Sequence, residues 1–303
     1  MPEADEYDAY AGLVEAGDET RWAFGTGFDD PLAGVDASVP PGVDPGALAA
    51  YCLMLGDDAL VLSQRLVQWC TRAPELEEEV ALANVALDLL GQARLLYARA
   101  AASDPSVLPA LPDDSPVPAE DRLAFFREPE DFRCVTLVEL PDGDFAAAVV
   151  RLLVFAVWRR AILEGLRRSV DPVLAAVGEK GVKEVAYHGD FAARWVLTLA
   201  GGTPESRQRT EAALRDVGAH LDELGLGDPD TRVLVAAGVA PDPAEVWGDA
   251  ARQLAGVLVE AGLERPAGGA SVLSGRVGRH SPWLPDLLAE LQGLARAHPE
   301  GRW

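Results

Sequence analysis

Asn84, Asp88 and Gln92 recur every four residues in an otherwise apolar segment, so on a helix they form one polar stripe that must find hydrogen-bond partners. A second cluster, Lys183, Glu184, Tyr187, His188 and Asp190, falls within two turns and has Glu184 and His188 as i, i+4 neighbours. A carboxylate and an imidazole at that spacing could hold a metal or simply pair along one helix. The stripe could line a cofactor, or fix register between helices as a satisfied buried network, and composition favours the network. Glu164 is one more carboxylate in an apolar stretch, but Gly165 and the arginines after it place it near the surface.

Di-iron bundles take a Glu from each of two helices and a Glu-x-x-His from each of the other two. The chain has four histidines, and the residues three positions before them are Val185, Val217, Val277 and Ala295, so that motif does not occur. The expectation is a chain with no metal and no catalytic residue of its own. No GxSxG elbow or GxxxxGK[ST] loop is present, and the Gly-rich stretch Gly268–His280 lacks the strand–helix context of a dinucleotide site. Arg276 and Arg279 in that stretch are candidates for a phosphate or partner contact, with a mobile surface loop as the alternative.

The elements that must position these groups are helical. Leu55, Ala59, Leu62, Leu66 and Trp69 recur every three or four positions, and no comparable period-two run appears. Thr71–Pro74 breaks this first helix, and a second begins with Glu75, Glu77, Glu78 and Glu79 and carries Arg94 and Arg99 late, matching the helix dipole. The short break predicts an antiparallel pair. Leu76, Val80, Leu82, Val85, Leu87, Leu89, Leu90, Leu95 and Leu96 cover most of the second helix, which predicts a place at the bundle centre.

After an acidic, Pro-rich connection (Asp104–Asp121), a third long helix opens at Asp142-Gly-Asp144 and a fourth at Asp171-Pro172. Thr203-Pro204-Glu205 and Asp242-Pro243-Ala244-Glu245 each offer a side-chain cap followed by Pro, the second also at capping-box spacing. A last short helix is expected from about Pro285 to Arg296. The predicted fold class is all-α, an antiparallel helical bundle with peripheral helices and no sheet.

The 303 residues carry a net charge of −23, which argues against bare nucleic acid and anionic lipid as partners. Ten of those charges fall in residues 1–45, an acidic, Gly- and Pro-rich extension; residues 46–303 form the bundle domain. Trp22, Phe24 and Phe28 make that extension a candidate docking segment. Cys52, Cys70 and Cys134 show no metal or CxxC spacing, and the start MPEADEYDAY lacks the regions of a secretory signal, so a cytoplasmic location is expected. The strongest apolar stretch, Val149–Val157, is too short for a membrane span.

LGDDALVLSQRLVQWCTRAPELEEEVALANVALDLLGQARLLYARA (Leu55–Ala100) strongly resembles the C subunits of the bacterial multicomponent phenylacetyl-CoA epoxidases, ring 1,2-monooxygenases of aerobic phenylacetate catabolism. LPDGDFAAAVVRLLVFAVW (Leu140–Trp158), KEVAYHGDFAARWVLTLAGGTPES (Lys183–Ser206) and LLAELQGLARAHPEGRW (Leu287–Trp303) agree with it, so the resemblance covers roughly Ala47 to the C-terminus.

The resemblance implies a ferritin-like bundle that acts as a structural subunit and pairs with a homologous catalytic A subunit, which holds the di-iron centre. Other subunits complete the complex, and NADPH supplies electrons through a reductase with flavin and Fe–S groups. No cofactor is expected in this chain. Setting the catalytic homologue's Gly-His on Gly91-Gln92 places its liganding Glu opposite Leu89 and its His opposite Gln92, while Asp88 matches the preceding Asp. The Glu184–His188 neighbourhood corresponds to the other Glu-x-x-His helix at altered spacing. Asn84, Asp88, Gln92, Glu184 and His188 then read as the polar remnant of a lost metal site, and Arg276 and Arg279 as candidate CoA or partner contacts. Ala156 stands where the family favours Asp, and His280-Ser281-Pro282 where it favours His-Thr-Glu. The alternatives are an autonomous ferritin-like metal-dependent oxidase using Asp88, Glu184 and His188, or a helical binding module without an oxygenase partner.

Overall fold

The computed structural model describes residues 34–112, 115–266, 268 and 274–301. Trp22, Phe24 and Phe28 lie outside them. In chain order the α-helices are α1 (Pro45–Val67), α2 (Leu76–Ser103), α3 (Ala119–Phe125), α4 (Thr136–Glu139), α5 (Phe145–Leu166), α6 (Pro172–Gly201), α7 (Pro204–Gly218), α8 (Pro229–Ala236), α9 (Pro243–Glu260) and α10 (Leu284–Ala297). Among the described residues there is no strand, only a single bridge between Ser274 and Arg279. The architecture is the expected all-α, ferritin-like helical bundle.

Local chemistry starts the helices where the sequence predicts. Asp144, Asp171 and Thr203 each accept a backbone N–H three residues on, at 2.9, 2.9 and 3.1 Å, and Pro172, Pro204 and Pro243 take the first helical position. Asp242 caps α9 through the N–H groups of Ala244 and Glu245. Asp228 caps α8 in the same way, at a start that the apolar periodicity does not mark.

Four long helices make the centre: α1 lies along α2, α5 along α6, and α2 also meets α6, while α7 and α9 pack on α5. The sequence predicts a central position for α2, and the structure gives that place to α5, which is buried continuously from Ala148 to Arg159. Only one face of α2 (Leu82, Val85, Ala86, Leu89, Ala93, Leu96) is buried, whereas Leu76, Val80, Leu87 and Leu90 are exposed. By length and hydropathy α1 and α2 would both pass as membrane spans, but α1 is 89% buried over its most apolar stretch, as the core helix of a bundle is; for α2 the figure is 44%.

The segment before α1 is tied to the bundle by Arg99 of α2, whose guanidinium donates to the carbonyls of Ala37 (2.5 Å) and Ser38 (3.3 Å) and pairs with buried Asp171. Asp171 therefore both caps α6 and neutralises a buried cation. Cys52, Cys70 and Cys134 are all free thiols.

Candidate polar site at the four-helix centre

α2 and α6 run antiparallel, so residues one turn apart on each helix meet as two rungs. His188 Nε2 lies 3.0 Å from Asp88 Oδ2, and Gln92 Nε2 donates to Glu184 Oε2 across 3.0 Å. Four of the five residues of the predicted remnant are thus brought together, with Glu184 and His188 each paired across the interface rather than with one another. Asn84 is the correction: it sits on the exposed side of α2, away from the rungs. Burial pushes the Glu184 carboxyl above the ordinary Glu value, while the Gln92 amide and Lys180, 3.7 Å away along α6, pull it back.

The network continues into Arg159 of α5, which in sequence looks like no more than the end of an apolar run. It is fully buried and donates from Nε to Gln92 Oε1 at 3.2 Å and from Nη1 to the Leu55 carbonyl of α1 at 3.1 Å. One hydrogen-bonded line, Leu55–Arg159–Gln92–Glu184, therefore crosses all four long helices. Burial lowers the Arg159 pKa to about 10, which leaves the guanidinium charged at neutral pH, with Asp58 and Glu184 as the nearest compensating acids. One turn earlier on α5, Ala156 packs near Gly189 of α6, so the buried charge of this stretch arises at Arg159.

This donor set does not fit a di-iron centre. Such a site needs four carboxylates and two imidazoles aimed inward. Here the inward groups are an amide, one carboxylate held by that amide, one imidazole held by a half-exposed aspartate, and a fixed cation whose Nη2 has no protein partner. A guanidinium repels a metal cation and offers no lone pair to bind it. The nearby cavity lined by Tyr51, Leu55, Trp158 and Arg276 measures about 40 Å³, room for about one water and too little for an aromatic ring.

A second polar cluster, which the spacing of polar residues does not announce, surrounds Asp57 and Asp58, both fully buried on α1. Asp57 accepts from the Tyr97 hydroxyl (2.6 Å), the Arg133 N–H (2.7 Å) and the Arg127 guanidinium; Asp58 accepts from the Val135 N–H (2.8 Å) and from Arg276 (2.7 Å). Two adjacent Asp inside the apolar run Leu48–Leu66 are the available signal. Gly56 makes room for this cluster, since a Cβ there would lie 2.6 Å from the Tyr97 ring.

Arg276 is accordingly not offered to solvent. Besides Asp58 it donates to the carbonyls of Arg133 (2.6 Å) and Met54 (3.2 Å), so a CoA or partner contact is corrected for Arg276, and only Arg279 of the pair is exposed. Residues 274–280 are docked rather than loose: a Cβ on Gly275 would sit 1.8 Å from the Cys134 carbonyl oxygen. Close backbone approach, not phosphate binding, explains that glycine.

Just beyond, Glu139 is fully buried and accepts from His280 Nδ1 (2.6 Å) and the Ser281 N–H (2.6 Å), while His280 Nε2 donates to the Phe132 carbonyl (2.9 Å). Cys134, Glu139 and His280 bring three donor atoms within 4.8 Å of one another, but both Glu139 oxygens and both His280 nitrogens already have protein partners, so the group works as a closed ion pair. Burial lowers the His280 pKa, and the hydrogen bond and charge of Glu139 outweigh it, so the imidazole stands above its ordinary value.

The fold and the site define a class of protein, a ferritin-like helical bundle whose centre is closed by a buried arginine and an amide. The family model described as phenylacetic acid catabolic protein matches residues 36–303, and the chain belongs to that family. The C subunit of the 1,2-phenylacetyl-CoA epoxidase of Escherichia coli strain K12 is 38% identical over 258 residues, covering 84% of this chain and 99% of that protein.

Proposed function

We propose that this chain is the structural, non-catalytic subunit of a multicomponent di-iron monooxygenase that epoxidises the ring of phenylacetyl-CoA in aerobic phenylacetate catabolism. It pairs with the homologous catalytic A subunit, holds that subunit's helices and substrate channel in place, and works in the cytoplasm beside the other subunits of the complex. In this reading the iron belongs to the A subunit, and electrons reach it from NADPH through the flavin and Fe–S groups of the reductase.

The observation that carries the reading is Arg159. A cation fixed between Gln92 and the Leu55 carbonyl at the bundle centre, the region into which di-iron bundles aim carboxylates, supports a subunit that keeps the bundle without the metal chemistry. The full-length similarity to an epoxidase C subunit supports the assignment to that complex. Co-expression with the catalytic subunit tests it. Co-elution of the two chains and a large gain in soluble, active catalytic subunit are expected. Epoxidation at full rate by the catalytic subunit and reductase without this chain would contradict it.

A further inference from the structure

The exposed half of α2 carries an inference about the partner. Leu76, Val80, Ala83, Leu87, Leu90 and Arg94 are spaced 4, 3, 4, 3 and 4 residues apart, the a/d repeat of a coiled-coil seam. Its apolar members face away from the chain's own core: Leu76 is 69%, Val80 53%, Leu87 64% and Leu90 44% exposed. The buried residues of α2 form a separate face, so this helix is built to be packed on two sides. Isolated exposed leucines are ordinary, but a continuous seam about 27 Å long is not. Gly91 lies on the same face, and a Cβ there would meet nothing within 4 Å. A glycine inside an exposed helix costs about 1 kcal/mol against alanine, and close approach by another backbone gives it a use.

We propose that this face of α2 is the docking surface for a helix of the epoxidase's catalytic subunit, packed knobs-into-holes at a shallow angle; the proposal rests on the subunit reading above. The shape selects a helix with its own apolar 3.5-residue seam. The charges mark one end: exposed Glu75 and Glu77 flank Leu76, so the partner helix carries basic residues opposite the first turn, while Arg94 at the other end already pairs with Glu120 at 3.3 Å. A second copy of this chain is disfavoured, because pairing would bring together two bodies of charge −23 each.

The test uses the full chain and the catalytic subunit, with Leu87→Glu/Leu90→Glu as the variant and Val259→Glu, on exposed α9, as the control. Both altered leucines are exposed, so melting temperature and far-UV circular dichroism should match wild type. The expected result is that the double variant binds the catalytic subunit at least about 100-fold more weakly, that V259E binds normally, and that hydrogen exchange of residues 76–94 slows in the wild-type complex. Unchanged affinity of the double variant overturns the proposal while leaving the subunit reading intact. A homodimer of the wild type that the double variant abolishes also overturns it, assigning the seam to a second copy. Wild type that fails to bind the catalytic subunit overturns the subunit reading itself, and this assignment with it.

Discussion

Arg159 and Gln92 stand 67 positions apart in the chain, and meet at 3.2 Å in the middle of the bundle. A neutral amide serves both neighbours at once, the Gln92 carbonyl accepting from the guanidinium and its NH2 donating to Glu184. An acid in its place would suit Arg159 and repel Glu184, and a base would do the reverse. The pair organises the middle of the bundle by hydrogen bonds between fixed helices.

Removing Gln92 should therefore be costly. Gln92→Leu leaves a buried guanidinium nitrogen without a partner and takes a donor from the half-buried Glu184 carboxylate, and a loss of about 1–3 kcal/mol is expected in urea denaturation. Arg159→Leu in the same chain removes the cation that Gln92 serves, so the double variant should fall short of the summed single losses by about 1 kcal/mol or more. Strict additivity would mean that the two groups do not interact.

Packing around Asp57 gives a steric prediction. Gly56→Ala drives a methyl group into the Tyr97 ring, 2.6 Å from the new Cβ, and should cost about 1–3 kcal/mol by overpacking. Tyr97→Phe keeps the ring but removes a hydroxyl that donates to Asp57 across 2.6 Å, and should cost about 1 kcal/mol. Thermal melts of the two variants separate the steric from the hydrogen-bond contribution.

His280 predicts a pH dependence with a definite sign. Its folded-state pKa stands above the ordinary His value, so the stability from its pairing with Glu139 is fully present below about pH 6.5 and lost as pH rises through the folded value. The difference in unfolding free energy between wild type and His280→Gln should then be largest near about pH 6 and shrink toward about pH 9. A difference that grows with pH would contradict the imidazolium assignment.

What is legible in the sequence divides by range. Asp144, Asp171 and Thr203 announce their helices because a cap acts on backbone three residues away. The Asp88–His188 and Gln92–Glu184 rungs are half legible: i, i+4 spacing puts Asp88 with Gln92, and Glu184 with His188, on one helix face, but only the antiparallel meeting of α2 and α6 shows that they pair crosswise. Arg159 is hidden because an arginine after Val154–Trp158 reads as the end of a buried run; its burial depends on acceptors supplied by Leu55 and Gln92, far away in the chain. Leucines on both sides of α2 likewise read as a helix packed all round, whereas this chain covers only one of those sides.

The most direct test of a metal-free, non-catalytic bundle is the iron content of this chain purified alone, set beside that of its complex with the catalytic subunit. The account predicts far less than one iron per chain in the isolated protein even after reconstitution with ferrous iron, and iron in the complex only in proportion to the catalytic subunit. Near-stoichiometric iron in the isolated chain, or oxidation of phenylacetyl-CoA by it without the catalytic subunit, would contradict the account.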